Sequence, residues 1–218
     1  MVNLIDLLIE DGWLRTPSII EAFRKIKRAD FLGVPDNNKL KNKEFLAEMD
    51  EPLPIGYGQT ISQPLVVAFM IEQLKPKEGD KTLDIGSGSG WTTAILSHIV
   101  GSTGKVIALE IIPDLKDFGE KNVSKYNFIK SKVAKFICAD GSVGYKKEAP
   151  FDNILVSASS EGVSQFWKDQ LKVGGRIVAP IKSSIWVFTK KTEDEFKKVE
   201  YPGFSFVPLV TKNDNLIK

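Results

Sequence analysis

Three glycines within five residues, Gly86, Gly88 and Gly90, separate the apolar run Thr82-Leu83-Asp84-Ile85 from the helically spaced Thr93, Ile95, Leu96 and Ile99. Glycine at a strand-to-helix turn lets a ligand approach the main chain where a β-carbon would stand in the way. Two acids follow at the ends of further apolar runs. Glu110 closes the run from Lys105, and Asp140-Gly141 follows the run from Val133 to Ala139. A carboxylate about 20 residues beyond such a loop can accept both hydroxyls of a ribose. An aspartate followed by glycine can accept from an adenine amino group and leave room for the ring.

The spacing separates two classes of ligand. Dinucleotide sites use G-x-G-x-x-G. This chain has G-x-G-x-G, with Trp91 where the third dinucleotide glycine would stand. Asp84, two residues before the first glycine, suits a cofactor with a cationic sulfonium and an amino group better than a pyrophosphate. Together these residues predict a site for S-adenosyl-L-methionine, with Asp84, Gly86, Ser87, Gly88, Glu110, Ile111, Asp140 and Gly141 contributing to it.

The elements that must hold these residues are legible in the pattern. Leu4, Ile5, Leu7 and Leu8 predict one face of a first helix, and Thr16-Pro17 the capped start of a second, striped by Ile19, Ile20, Phe23 and Ile26. Asp36 to Lys43 reads as a polar loop, and Pro52 to Gln59 holds too many breakers for a central strand or a helix. Leu65 to Leu74 reads as a helix that Thr60 or Ser62 could cap. Strands are expected at Thr82–Ile85, Lys105–Glu110, Val133–Ala139, Phe151–Val156 and Arg176–Pro180. Between them come helices after Gly90, at Leu115–Tyr126 and at Phe166–Leu171, and a turn at Gly174-Gly175. Ser184–Thr189 and the stretch near Val207 look strand-like. This alternation predicts an α/β, Rossmann-like fold with a mostly parallel central sheet, helices on both faces and an N-terminal helical extension. At 218 residues it is expected to be a single domain. Residues 1–50 would form the extension, 51–210 the cofactor-binding and catalytic core, and 211–218 a polar tail.

Composition narrows the partners. A net charge of +2 with lysines scattered among acids argues against a nucleic-acid groove. The single cysteine, Cys138, allows no internal disulfide, and neither HExxH nor CxxC occurs, so no metal site is expected. Without a leader-like start or a spanning apolar run of about 20 residues, a cytoplasmic protein without a membrane partner is expected. A monomer is favoured.

What is missing also speaks. His98 is the only histidine and falls inside the helix after the glycine loop, so no Ser-His-Asp or Cys-His set can form. A methyl acceptor that must first lose a proton would need such a base. A carboxylate, with a pKa near ~4, is already ionised at neutral pH and needs only to be held in line.

Several segments resemble protein-L-isoaspartate O-methyltransferase. They are Arg28-Ala29-Asp30-Phe31, Pro52-Leu53-Pro54-Ile55-Gly56, Gly58-Gln59-Thr60-Ile61-Ser62-Gln63-Pro64, Leu83 to Gly90, Ala139-Asp140-Gly141, Gln170 to Arg176 and Phe206-Val207-Pro208-Leu209. The resemblance runs from about Ile20 to Leu209 and implies the methyltransferase variant of the Rossmann-like fold. It implies methyl transfer from S-adenosyl-L-methionine to the free α-carboxylate of L-isoaspartyl residues in damaged proteins or peptides. The ester then cyclises to a succinimide that reopens partly to aspartate. It also implies that Ser62 is the active-site serine and that Gln59, Thr60, Ile61 and Ser62 line the cofactor site. By itself Ser62 reads as a helix cap before Pro64. The chain departs from the family pattern at Leu65, where histidine is usual, at Glu48 for an aromatic, at Ala139 for glycine, and at Ser159, Ser160 and Ser164 for prolines. Several departures fall on the acceptor side. Two alternatives therefore stay open: a methyltransferase with another carboxylate or small-molecule acceptor, and a non-catalytic cofactor-binding relative.

Overall fold

The computed structural model describes residues 3–35, 42–212 and 214. The chain opens with α1 (Leu4–Glu10), α2 (Pro17–Lys25), a 3-10 turn at Arg28–Phe31 and α3 (Lys43–Ala47). A hairpin of β1 (Leu53–Gly56) and β2 (Gln59–Ile61) leads into α4 (Pro64–Leu74). Then come β3 (Lys81–Ile85), α5 (Trp91–Val100), β4 (Lys105–Glu110), α6 (Pro113–Ser124), β5 (Ala134–Cys138) and β6 (Phe151–Val156). The chain continues through α7 (Gln165–Asp169), β7 (Leu171–Ile181), β8 (Ser184–Lys190) and β9 (Phe196–Pro202).

The main sheet has the order β5-β4-β3-β6-β7-β8-β9. Its first five strands are parallel, and β8 and β9 return antiparallel. The strands are apolar on both faces because both faces are covered. Leu83, Ile85, Ile107, Leu109 and Ile154 pack with Trp167 of α7 on one side. On the other, Val106, Leu155 and Val178 meet Met70, Leu74 and Leu96 of α4 and α5, while Ala108 and Phe136 meet Leu115 and Val123 of α6. The expected α/β layering with helices on both faces is therefore present.

Of the N-terminal helices, α2 lies on α5. Ile19, Ala22 and Phe23 are buried, and Phe23 meets the Trp91 ring edge-on at 5.7 Å. Glu72 of α4, itself buried, accepts from Arg15 N, Thr16 N and Thr16 Oγ1 at 2.7–2.8 Å. That explains one departure from expectation. Thr16 does precede Pro17 at the start of α2, but its hydroxyl goes to Glu72 instead of capping the helix.

Other differences have similar local causes. Leu8 is buried while Leu7 stays 42% exposed, because the short α1 presents only a narrow stripe. Neither Thr60 nor Ser62 caps α4. Its N-cap position is Gln63, and Asp50 Oδ1 accepts the Leu65 N–H at 2.8 Å. α7 ends at Asp169, and Leu171 already belongs to β7. Gly174-Gly175 is not a turn between elements but part of β7, where the pairing with β6 slips. Near Val207 only an isolated bridge forms, between Ser159 and Pro208. β9 was not expected. Its Phe196, Val199 and Tyr201 alternate with lysines and glutamate, the charge-rich pattern that keeps an edge strand from pairing further. Of the loop expected from Asp36 to Lys43, residues 36–41 lie outside the described residues and Lys43 begins α3; of the expected tail, 213 and 215–218 lie outside them. Among the described residues, no helix is long and apolar enough to cross a membrane.

Candidate functional site

From β3 the chain builds outward in two directions, to β4 and β5 on one side and later to β6 and β7 on the other. Such a reversal opens a crevice beyond the carboxyl ends of the strands. A cleft lies there, bounded by Ile85 to Ser89, Trp91, Thr92, Leu109 to Ile112, Ala139, Gly141, Ser157 and Ala158. The hairpin residues Ile55 and Gln59 to Ser62 and the segment Val207 to Val210 complete its wall.

The glycine loop is held from below. Gly86 N and Ser87 N donate to Leu109 O at 2.9 and 3.0 Å, and Gly90 N to Ser87 O at 2.8 Å. Gly90 starts α5 with φ +87°, and a β-carbon on it would lie 2.8 Å from Gly119 O. α6 thus presses on the loop through Gly119. The close packing that a dinucleotide site assigns to its third glycine is achieved here from the neighbouring helix.

Glu110 is buried at the end of β4. Its Oε2 accepts from Gly88 N at 2.9 Å, and its Oε1 from Ile111 N and Ile112 N at 2.8 and 3.1 Å. Burial raises its pKa, and these three backbone bonds oppose the rise. Its side chain therefore fastens the loop and lines the cleft with acceptor capacity left on Oε2.

Ten of the predicted residues line the cleft together: Gln59, Thr60, Ile61, Ser62, Gly86, Ser87, Gly88, Glu110, Ile111 and Gly141. Two do not. Asp84 is fully buried behind the loop, where Oδ2 accepts from Thr93 Oγ1 at 2.6 Å and Thr92 Oγ1 at 3.0 Å. Its alternation along β3 turns it to the α5 face. Asp140 is half-buried beside the cleft; Oδ1 accepts from Ser142 N at 2.8 Å and Oδ2 from Lys212 N at 3.0 Å. Burial works to raise the Asp140 pKa, but the bonds from Lys212 and Ser142 outweigh it and hold it low. The cleft wall also includes Ile55, Trp91, Ser157, Ala158 and Val207 to Val210, which the sequence pattern does not mark as site residues. Ser157-Ala158 could have been found from its place just after a parallel strand.

The Ser62 hydroxyl makes no hydrogen bond to the described residues, and Tyr57 at the hairpin tip donates to Asp114 in the first turn of α6. Two buried oxygens at the loop, Asp84 Oδ1 and Ser87 Oγ, lack partners among the described residues. Among the described residues no cluster of His, Cys, Asp or Glu could hold a metal.

Burial pushes the Asp84 carboxyl up to about 6, with the threonine bonds opposing and the Glu110 charge adding to the rise. Between about pH 4 and 6 the folded chain then holds a proton that the unfolded chain has lost. Stability should fall as pH rises through that window and level off above it. At about 1.4 kcal/mol per unit, roughly 3 kcal/mol is at stake. Urea unfolding from pH 4 to 7 should show this slope in the native chain and a flatter one in Asp84→Asn. Parallel slopes would assign the titration elsewhere.

A family profile for protein-L-isoaspartate(D-aspartate) O-methyltransferase matches residues 1–214. The chain is 37% identical over 212 residues to a protein-L-isoaspartate O-methyltransferase of Methanopyrus kandleri, covering 95% of this chain and 90% of that one. It is 40% identical over 194 residues to protein-L-isoaspartate O-methyltransferase 2 of Archaeoglobus fulgidus, covering 88% and 84%. In fold it is similar to a Plasmodium falciparum protein crystallised with S-adenosyl-L-homocysteine, with a TM-score of 0.83 at 24% identity over 95% of this chain and 96% of that one.

Proposed function

The chain belongs to the protein-L-isoaspartate(D-aspartate) O-methyltransferase family, and from that premise we propose that it methylates the free α-carboxylate of L-isoaspartyl residues in damaged proteins and peptides. The observation that carries this reading is one cleft with two chemically different walls. The glycine loop and Glu110 form one, and the hairpin ending in Ser62 forms the other.

The first wall fits S-adenosyl-L-methionine. Glu110 would accept the ribose hydroxyls, with Ile111 beside it. Gly141, which has no room for a β-carbon against Ile85, would lie under the adenine with Asp140 next to it. The unpartnered Ser87 Oγ can bond the amino-acid end of the cofactor. Asp84 contributes a negative charge behind the loop toward a cation. When bound, S-adenosyl-L-methionine supplies a methyl group on a positively charged sulfur.

The chain's remaining work is positioning. Ser62 donates its free hydroxyl to the acceptor carboxylate and turns one oxygen toward the cofactor wall. No base is required, since the carboxylate is ionised at neutral pH. Ile55, Ile61, Trp91 and Leu209 keep water from the acceptor. The only histidine, His98, sits 3.6 Å from Glu21, away from the cleft wall. The same reading takes residues 51–210 as the catalytic core, with 1–50 as a helical extension and 211–218 as a tail.

The test is a paired assay. An isoaspartyl peptide should be methylated, and its aspartyl twin hardly at all. Equal, negligible transfer to both with cofactor bound would overturn the reading. Ser62→Ala should lower kcat about tenfold, the worth of one oriented hydrogen bond, while cofactor affinity stays within about twofold. Titration calorimetry beside the kinetics separates the two.

A further inference from the structure

Arg28 stands outside the cleft wall, yet it is only 6% exposed and no carboxylate among the described residues bonds it. Its guanidinium donates to four carbonyls instead. Nη1 reaches Met49 O at 2.8 Å and Leu46 O at 3.4 Å; Nη2 reaches Glu51 O at 2.6 Å and Ser62 O at 3.2 Å. Glu51 lies just before β1 and Ser62 just after β2. One side chain thus ties the two ends of the hairpin together at its base. The same guanidinium lies 5.5 Å from the centre of the Trp91 ring, which forms part of the cleft wall.

A second side chain braces the same turn. Asp50 accepts from Gln63 Nε2 at 2.9 Å and from Leu65 N at 2.8 Å. Ser62 is therefore flanked by a cation on its own carbonyl and an anion on Gln63 and Leu65 at the start of α4. Burial pushes the Arg28 pKa down to about 10, against the pull of the Asp50 charge. A cation buried at that cost among carbonyls does more than fill space.

We propose that Arg28 is a positioning residue for methyl transfer: by fastening Glu51 and Ser62 it fixes the base of the hairpin and so the direction of the Ser62 hydroxyl. The inference rests on the reading of Ser62 given above. A planar fork with five donors can serve several carbonyls at fixed angles; a lysine ammonium cannot.

Arg28→Lys keeps the charge and removes the fork. It should lower kcat on an isoaspartyl peptide by about tenfold or more while the Kd for S-adenosyl-L-homocysteine stays within about twofold. Amide hydrogen exchange over residues 59–65 should quicken about tenfold, with residues 84–92 unchanged. Should Arg28→Lys not fold, Arg28→Gln, which keeps a planar donor but cannot span both carbonyls, should quicken the same amides. Exchange over 59–65 unchanged in the folded variant overturns the inference. So does a variant that melts earlier but keeps full kcat while folded. If the native chain binds S-adenosyl-L-homocysteine but methylates no isoaspartyl peptide, the functional reading falls, and the exchange measurement still decides the role of Arg28.

Discussion

Replacing Glu110 with alanine is expected to weaken binding of S-adenosyl-L-homocysteine by about 100-fold or more. Hydrogen bonds to a charged group are worth about 1.5–3 kcal/mol each, and the ribose would lose its charged acceptor. The buried carboxylate also accepts from Gly88, Ile111 and Ile112 N–H, so the variant loosens the loop as well as emptying the ribose contact. Glu110→Gln separates the two effects. It keeps the volume but turns an amide N–H₂ toward backbone donors, so part of the loss should remain. Calorimetry measures the affinities, and thermal melting without ligand measures the loop. A change in affinity below about fivefold would put the ribose elsewhere, because that is no more than an exposed ion pair is worth.

The residues that carry this prediction were legible in the sequence because their constraints are local. A glycine run between an apolar run and a helical period marks a strand–loop–helix unit. An acid at the end of the next strand falls beside it through the parallel register of β3 and β4, in which Ile85 faces Leu109. The succession of strands and helices along the chain from β3 to β7 followed from the same alternation, but their order across the sheet, β5-β4-β3-β6-β7, did not. The unread features depend on distant pairings. Asp50 caps α4 across 15 residues, Glu72 reaches Thr16 across 56, and Arg28 reaches Ser62 across 34. No periodicity reports such contacts. Asp84 shows the same limit in reverse. Its place in the motif was plain, but β3 alternation turns it behind the loop, toward Thr92 and Thr93. β9 escaped because an edge strand rich in lysine and glutamate has the composition of a solvated loop.

Gly119 joins the two kinds of information, since nothing local distinguishes it and yet the loop depends on it. It lies inside α6, where alanine would by propensity be favoured by about 1 kcal/mol. A β-carbon there would lie 2.6 Å from Gly88 O and 2.9 Å from Phe136 Cε1. The first obstacle is backbone and the second a buried ring, so neither yields readily. Overpacking of this kind costs about 1–3 kcal/mol, and more when main chain must move. Gly119→Ala should therefore destabilise the fold by about 2 kcal/mol or more, despite its better helix propensity. It should also weaken cofactor binding, because shifting the Gly88 peptide pulls Gly88 N away from Glu110. Urea unfolding and calorimetry with S-adenosyl-L-homocysteine test the two halves, with Lys121→Ala on the exposed side of the same helix as the control. The control should leave both unchanged. A more stable Gly119→Ala with native affinity would mean that α6 can withdraw from the loop, and that the close approach of Gly119 to Gly88 does not hold the cofactor wall in shape.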